Sequence, residues 1–469
     1  MRLQPSNFVL RVVFTIFSAA ICISRAPAAS AEEAAPPPTA PASAPASPSA
    51  TPVAAPIATL LADPAALVAW LKRMNPEVRA ASARVQQADA QVGQSRTWQN
   101  PTLDLGVNNI TVGRFNRSGL PANYSRADTI AYSVGLSQTI ELGKRGPRVE
   151  AAKLHRNASS EEFRSTLLGL MSDARAAMTK VSYLGARQHI LEDGLVSAQS
   201  MADLTKIRLD RGDVSGVDQA RLLLDVDRVK RDVADNQSEL EDALADCAAL
   251  LFAPCQGDAA TLDMAEKSAG TTSYDSVDAA IASRPDLRAL RLEQLAASAE
   301  AKMHRRSAIP DPTVGVTYTR DYYEAAGNQP YTVGVSASIP LPFFDHGQYQ
   351  ALEADHRAEE LAAMLQSNER HAISDARSLV IRRRVLQNKL DNIQRAALPR
   401  SKEVVDSTTV AYQRGQISLT DLLIARREHA ALLLEEADTR FALFNIENDL
   451  RRALGIDQDL VGQKPREDS

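Results

Sequence analysis

Few residues in this chain are placed to do chemistry. The seven histidines, His155, His304 and His346 among them, are scattered with no partner at ligand spacing. A specific metal centre needs His, Cys or carboxylate ligands that converge. Gly212-Asp213-Val214-Ser215-Gly216 has the letters of a nucleophile elbow but lacks its spacing and preceding strand. No glycine loop of the phosphate-cradling kind is present. The expectation is therefore no catalytic residue, no cofactor, no metal site and no enzymatic activity. Two acids stand out by placement. Asp218 follows Arg211-Gly212, and Asp421 follows Arg414-Gly415, each six residues beyond its glycine. Both would sit in the first turn of a helix, where the dipole favours a carboxylate.

That echo belongs to a larger one. Asn75-Pro76-Glu77-Val78-Arg79-Ala80 returns as Arg284-Pro285-Asp286-Leu287-Arg288-Ala289, and Asn100-Pro101-Thr102-Leu103 as Asp311-Pro312-Thr313-Val314. Tyr132-Ser133-Val134-Gly135 returns as Tyr331-Thr332-Val333-Gly334. The offset stays near 200 residues, too long for a solenoid unit of about 20–50. A half-protein has been duplicated in tandem.

Each half needs long helices. No proline occurs between Val149 and Ala253, or from Phe343 to Leu398, and both windows are rich in helix formers. A helix from Arg148 to Leu209 would run about 90 Å at 1.5 Å per residue. The helix returning from it carries a coiled-coil seam, Leu222, Val226, Val229, Val233, Leu240, Leu244, Cys247 and Leu251, with Asn236 in one seam position. Gly212 and Gly415 suit left-handed helix ends, and Ser215 and Ser418 suit N-caps. Each half thus ends in a helical hairpin with a short tip.

Before each long helix the period changes to two. Leu103, Leu105 and Val107 alternate with Thr102, Asp104, Gly106 and Asn108; Tyr132, Val134 and Leu136 alternate with Ser133, Gly135 and Ser137. The second half repeats this with Val314, Val316 and Tyr318, then Tyr331, Val333 and Val335. Apolar on one face and small or polar on the other is the pattern of an outer-membrane barrel strand. Tyr318, Tyr322, Tyr323 and Tyr331 gather toward the turn, where an aromatic girdle meets lipid headgroups. A soluble sandwich strand would share the alternation, but not the tyrosines and the export signal. Four strands cannot close a barrel, because lipid leaves an open edge unsatisfied. Pooling strands among three copies gives twelve; two copies would give a tight eight.

The ends and the charge complete the frame. Residues 1–31 read as a signal peptide, with Arg2 and Arg11 before an apolar run from Val12 to Ile23 and cleavage near Ala29-Ser30-Ala31. Cys22 raises lipidation, for which Ile21 is a poor fit. Residues 32–58 are a Pro/Ala-rich tether expected to be disordered. The first repeat is assigned to 59–265, with strands at 101–113 and 128–141 and its tip near 211–217. The second is assigned to 266–457, with strands at 312–323 and 329–340 and its tip near 414–420; 458–469 is a tail. A formal charge of −5 and a pI near 5.9 give no case for nucleic acid. Cys247 and Cys255 could pair in an oxidising periplasm or remain as two buried thiols.

Together these residues resemble the outer membrane factor family, the TolC-like exit ducts, over nearly all of the chain beyond the tether. The resemblance implies a mainly α fold with a transmembrane β-barrel portion. It also implies a homotrimer sharing a twelve-stranded barrel above a long periplasmic α-helical barrel. A periplasmic adaptor, an inner-membrane RND pump and outer-membrane lipid are the implied partners. Ser137-Gln138-Thr139-Ile140-Glu141-Leu142-Gly143-Lys144-Arg145 and Ile339-Pro340-Leu341-Pro342-Phe343-Phe344-Asp345-His346-Gly347 look more like the branch serving heavy-metal efflux. In the family the tips form the periplasmic entrance, which places Arg211, Gly212, Arg414 and Gly415 there and Asp421, with Asp218 as counterpart, at an acidic constriction. Relatives with a second aspartate three residues on differ from this chain, which has Ile424 and Arg221. A duct for drug efflux or type I secretion is the nearest alternative; a periplasmic coiled-coil adaptor or scaffold is one of another class.

Overall fold

A computed structural model describes residues 56–110, 112, 130–256, 277–320 and 330–462. The expected signal peptide, most of the tether, and Tyr322 and Tyr323 lie outside them. In chain order the elements are α1 (Ile57–Ala62), α2 (Pro64–Met74), α3 (Pro76–Ser95), β1 (Thr102–Asn108), β2 (Ala131–Thr139), α4 (Arg145–Asp210) and α5 (Gly216–Leu251). The second half supplies α6 (Val277–Ala282), α7 (Pro285–Arg305), β3 (Thr313–Arg320), β4 (Tyr331–Ser338), α8 (Gln348–Asn392), α9 (Leu398–Gln413), α10 (Leu419–Leu454) and α11 (Gln458–Gly462). The first described helix starts at Ile57, which is buried with Leu60 and Leu61, an i, i+3, i+4 apolar set. The C-terminal tail likewise begins with a helical turn, α11.

Helix α4 has 66 residues, about 100 Å of unbroken helix. Its counterpart is assembled from α8, a π turn at Ile393–Ala397 and α9. Pro399 stands just beyond the π turn. Proline lacks an N–H and its ring crowds the carbonyl four residues back, so a widened turn there lets the helix continue. The halves stay in step: Arg145 and Gln348, at the helix starts, and Asp210 and Gln413, at the ends, are both 203 positions apart. The returning helices α5 and α10 have 36 residues each.

The strands form one antiparallel sheet in the order β1-β2-β3-β4. Leu105, Val134, Tyr318 and Val333 share one cross-strand row, and Leu103, Leu136, Val316 and Val335 the next. All eight side chains are exposed. The opposite face carries Asp104, Gly135, Thr317 and Gly334 in register, with Ser137 Oγ donating to Asp104 Oδ2 at 3.1 Å. Tyr318 and Tyr331 stack with ring centroids 6.0 Å apart. Among the described residues the outer edges of β1 and β4 have no partner strand. No described helix is long and apolar enough to cross a membrane.

Each strand runs into or out of a long helix, and the helices keep the strand order. Helix α3 packs on α4, α4 on α7 and α7 on α8 near the sheet; further down the order is α5, α4, α10, then α8 and α9. The result is a wall one layer thick. Its main core lies midway, where Leu67, Trp70 and Leu71 of α2 pack on Leu167, Met171, Met178 and Leu184 of α4. There Trp70 Nε1 donates to the Leu251 carbonyl at 3.0 Å, and Cys247 and Cys255 form a disulfide, which decides the pairing left open by the sequence. A smaller core joins Ile281, Leu287, Ala376 and Leu450 in the second half. Arg175 of α4 and Asp457 form a buried ion pair at 2.7 Å, extended by Arg451.

Candidate functional site at the hairpin tips

The tips are built by backbone rules. Helix α4 ends as Gly212 takes φ +80° and Asp213 N donates to the Arg208 carbonyl at 2.9 Å. At the second tip Gly415 takes φ +74° and Gln416 N donates to the Ala411 carbonyl at 2.9 Å. Both are left-handed helix ends that glycine reaches without a Cβ clash. The returning helices start on serine caps. Asp218 N donates to Ser215 Oγ, and Asp421 N to Ser418 Oγ, each at 3.2 Å. In the second tip Asp421 Oδ2 also accepts from Ser418 N at 3.2 Å and from Ser418 Oγ at 2.7 Å, completing a capping box.

The repeated acids therefore have a structural duty, as first-turn caps, and differ in what surrounds them. Asp218 is half-buried, and Arg221 lies 3.9 Å away while also donating to Thr420 Oγ1 of the second hairpin at 3.2 Å. Arg221 thus stands between the first acid and the neighbouring tip. Asp421 is exposed and has no cationic side chain within ion-pair distance among the described residues. Arg211, Gly212, Arg414 and Gly415 are all exposed at the tips.

What holds the hairpins together was singled out in the sequence only in part, through the seam residues Leu222 and Val226. Ala198, Ala202, Leu222, Val226, Leu419 and Leu423 form one apolar cluster from both hairpins. Beside it Arg427 of α10 donates to Asp225 of α5 through Nε at 3.0 Å and Nη2 at 2.8 Å, and Arg228 adds a third contact at 3.3 Å. Asp225 is buried. Its signal was a charged residue three positions after Leu222, on the edge of the seam. Arg208 covers the ring of Tyr412 at 5.6 Å and ties α4 to the second tip.

The two strand-to-helix junctions are as specific as the tips. Glu141 receives Arg148 Nη1 at 2.6 Å and Nη2 at 2.9 Å, and Lys144 pairs with Asp311 at 2.7 Å, whose other oxygen accepts from Leu142 N. Gly347 starts α8 at φ +78°, and a Cβ there would collide with the His304 carbonyl oxygen. Further along the wall, His155 of α4 is held between Glu293 and Glu300 of α7, with ring nitrogen to carboxylate distances of 3.0 and 2.9 Å. Hydrogen bonds to Glu293 and then Glu300 raise its pKa from 6.5 to about 9. Both ring nitrogens of His155 are engaged by the carboxylates, and no group of three or more His, Cys, Asp or Glu that could hold a metal ion is found among the described residues.

A wall of long helices, a sheet apolar on one face and polar on the other, and capped hairpin tips define a subunit of an outer-membrane duct. The chain belongs to the family described as "Outer membrane efflux protein", which matches residues 69–251 and 276–456, one span per repeat. It is 25% identical over 313 residues to the nickel-cobalt-cadmium resistance protein NccC of Alcaligenes xylosoxydans xylosoxydans, covering 66% of this chain and 67% of that one. The cobalt-zinc-cadmium resistance protein CzcC of Cupriavidus metallidurans is 26% identical, over 75% of this chain and 80% of its own. Among solved structures, CusC superposes with a TM-score of 0.68 at 20% identity, covering 83% of this chain and 91% of CusC. The outer membrane protein VceC of Vibrio cholerae gives 0.67 at 18% identity, over 83% and 95%. The fold is that of these channels, and the protein is an outer membrane efflux channel reaching into the periplasm.

Proposed function

We propose that three copies close edge to edge into a twelve-stranded barrel continued by a helical conduit. We further propose that this conduit is the exit duct for heavy-metal cations in a tripartite system with a periplasmic adaptor and an inner-membrane RND pump. The observation that carries the reading is the sheet: four strands, greasy outside and hydroxyl-lined inside, with both edges open among the described residues. In lipid such edges must be paired, and β1 of one copy is antiparallel-compatible with β4 of the next. The metal cargo is favoured by the two resistance proteins above and by the junction segments around Glu141 and Gly347. The tips serve as the periplasmic entrance, with Asp421 supplying its acidic ring and Asp218 a counterpart damped by Arg221.

The test is a deletion strain challenged with zinc, cadmium, cobalt, nickel and copper salts. Raised sensitivity to one or more, reversed by the intact gene, is expected. Wild-type tolerance to all of them, with a drug or secretion defect instead, would move the duct to a different cargo.

A further inference from the structure

We infer that the strand-to-helix junctions carry a headgroup site for an anionic phospholipid of the periplasmic leaflet, centred on Trp98, Arg145 and Arg306. This rests on the reading of the sheet as a barrel wall in lipid, and names the lipid that its lower rim selects.

The apolar face of the sheet does not stop at the strand ends. Ile140 stands four residues beyond Leu136, so period two keeps it on the same face. Its N–H donates to the Pro312 carbonyl at 2.9 Å, one step past the ladder. Ile339 follows Val335 in the same phase, and both isoleucines are exposed. Charge begins where this apolar surface ends. Segments 95–101, 139–148 and 302–312, which join the first three strands to their helices, hold seven lysines and arginines against two acids, in a chain of net charge −5. Apolar surface bounded by cations, with a tryptophan at the boundary, follows the order of hydrocarbon, interface and headgroup across one leaflet.

Three of the seven cations are paired within the chain: Arg148 with Glu141, Lys144 with Asp311 and Arg305 with Asp355. Arg96, Arg145, Lys302 and Arg306 have no carboxylate within ion-pair distance among the described residues. These four converge. The Arg145 guanidinium lies over the Trp98 ring, 4.8 Å from its centroid, and donates to the Arg96 carbonyl. Arg306 reaches the same junction, its Nη1 3.9 Å from where a Cβ on Gly143 would stand. Lys302 precedes Arg306 by one helical turn. Trp98 is 56% exposed, and Leu142 and Ile309 of the same junctions are exposed as well.

Beside Trp98 is an open cavity of about 380 Å³, lined in part by Gln91, Gln94, Thr97 and Gln99. Side-chain amides of this kind suit the hydroxyls of a glycerol headgroup, while guanidinium groups take the phosphate. A zwitterionic headgroup would set its ammonium among unpaired cations. A phosphate with no such counter-charge, as in phosphatidylglycerol, meets them without repulsion.

Quenching of Trp98 by lipids brominated near the headgroup tests the site. The chain has two tryptophans, and Trp70 is buried, so Trp98→Phe supplies the blank. With the full chain in phosphatidylcholine vesicles at low salt, half-maximal quenching by brominated phosphatidylglycerol is expected at a share about fivefold lower than for brominated phosphatidylcholine. Arg145→Gln with Arg306→Gln should bring the two lipids to parity, and soluble glycerol phosphate should not compete. Equal quenching in the wild type, a preference kept by the variant, or displacement by glycerol phosphate overturns the proposal. Should that variant fail to insert, Lys302→Gln with Arg306→Gln leaves the Arg145–Trp98 contact in place and should lower the preference severalfold; an unchanged preference overturns the proposal. No quenching by either lipid in membrane-inserted protein overturns it while leaving the duct. A wild-type chain that never enters vesicles overturns both.

Discussion

At the scale of single residues, the repeated acids are separated by their neighbours. Asp421 caps its helix with one oxygen and leaves the carboxylate exposed to water, whereas Asp218 faces Arg221. Asp421→Asn keeps the shape and most hydrogen bonds, so it should reduce divalent-cation block of the pore several-fold in planar bilayers with little loss of stability. Asp218→Asn should change block much less. Equal effects of the two would deny Asp421 its place at the entrance. His155 yields a prediction with a defined sign. Because its folded pKa of about 9 lies above the ordinary 6.5, its stabilisation is complete below about pH 6.5 and disappears as pH rises through about 9. The site is partly solvated, so the full effect is discounted to about 1 kcal/mol. His155→Gln should lower the melting temperature at pH 6 and leave it nearly unchanged at pH 9.5.

At the scale of elements, two glycines with the same backbone angle are expected to behave differently. Gly212 has open space around it, so Gly212→Ala should cost about 1 kcal/mol, the left-handed penalty alone. Gly347→Ala would press a methyl group into the His304 carbonyl and should cost about 3 kcal/mol or more, read by thermal melting of the purified protein. Much of this level was legible beforehand. Strand phase was readable because period two has no competing interpretation once one face is apolar. The seam of α5 was readable through Asn236, which is buried and donates to the Leu184 carbonyl. Strand ends were not: β1 stops at Asn108 and is followed by Asn109 at φ +60°, short of the expected 113. The disulfide was undecided because it depends on Phe252 adopting φ +53°, a conformation that phenylalanine does not advertise. The latch of Asp225 and Arg427 escaped because its partners are 202 residues apart and nothing local couples them. Removing the disulfide by Cys247→Ala with Cys255→Ala should lower stability by about 2–3 kcal/mol, the loop-closure expectation for so short a ring, measured by denaturant unfolding.

For the whole molecule, the duplication explains why one layer of helices suffices. Each repeat contributes two strands and a hairpin, and neither owns a closed core; the largest apolar cluster sits where α2 braces α4 midway. The tips are secured to one another by Leu222, Leu419 and the Asp225–Arg427 pair. Arg427→Ala should therefore leave the midway core intact while loosening the tips. Hydrogen exchange should quicken over α5 and α10 near residues 216–230 and 419–430, with protection of α4 near 167–184 unchanged.

The common displacement of 203 positions at both ends of the long helices constrains how such a chain can change over time. Adding one helical turn to a single half would leave one tip hanging about 5 Å below the other and pull apart the apolar cluster they share. Lengthening must happen in both halves together, so the reach of the conduit across the periplasm is inherited as a paired quantity.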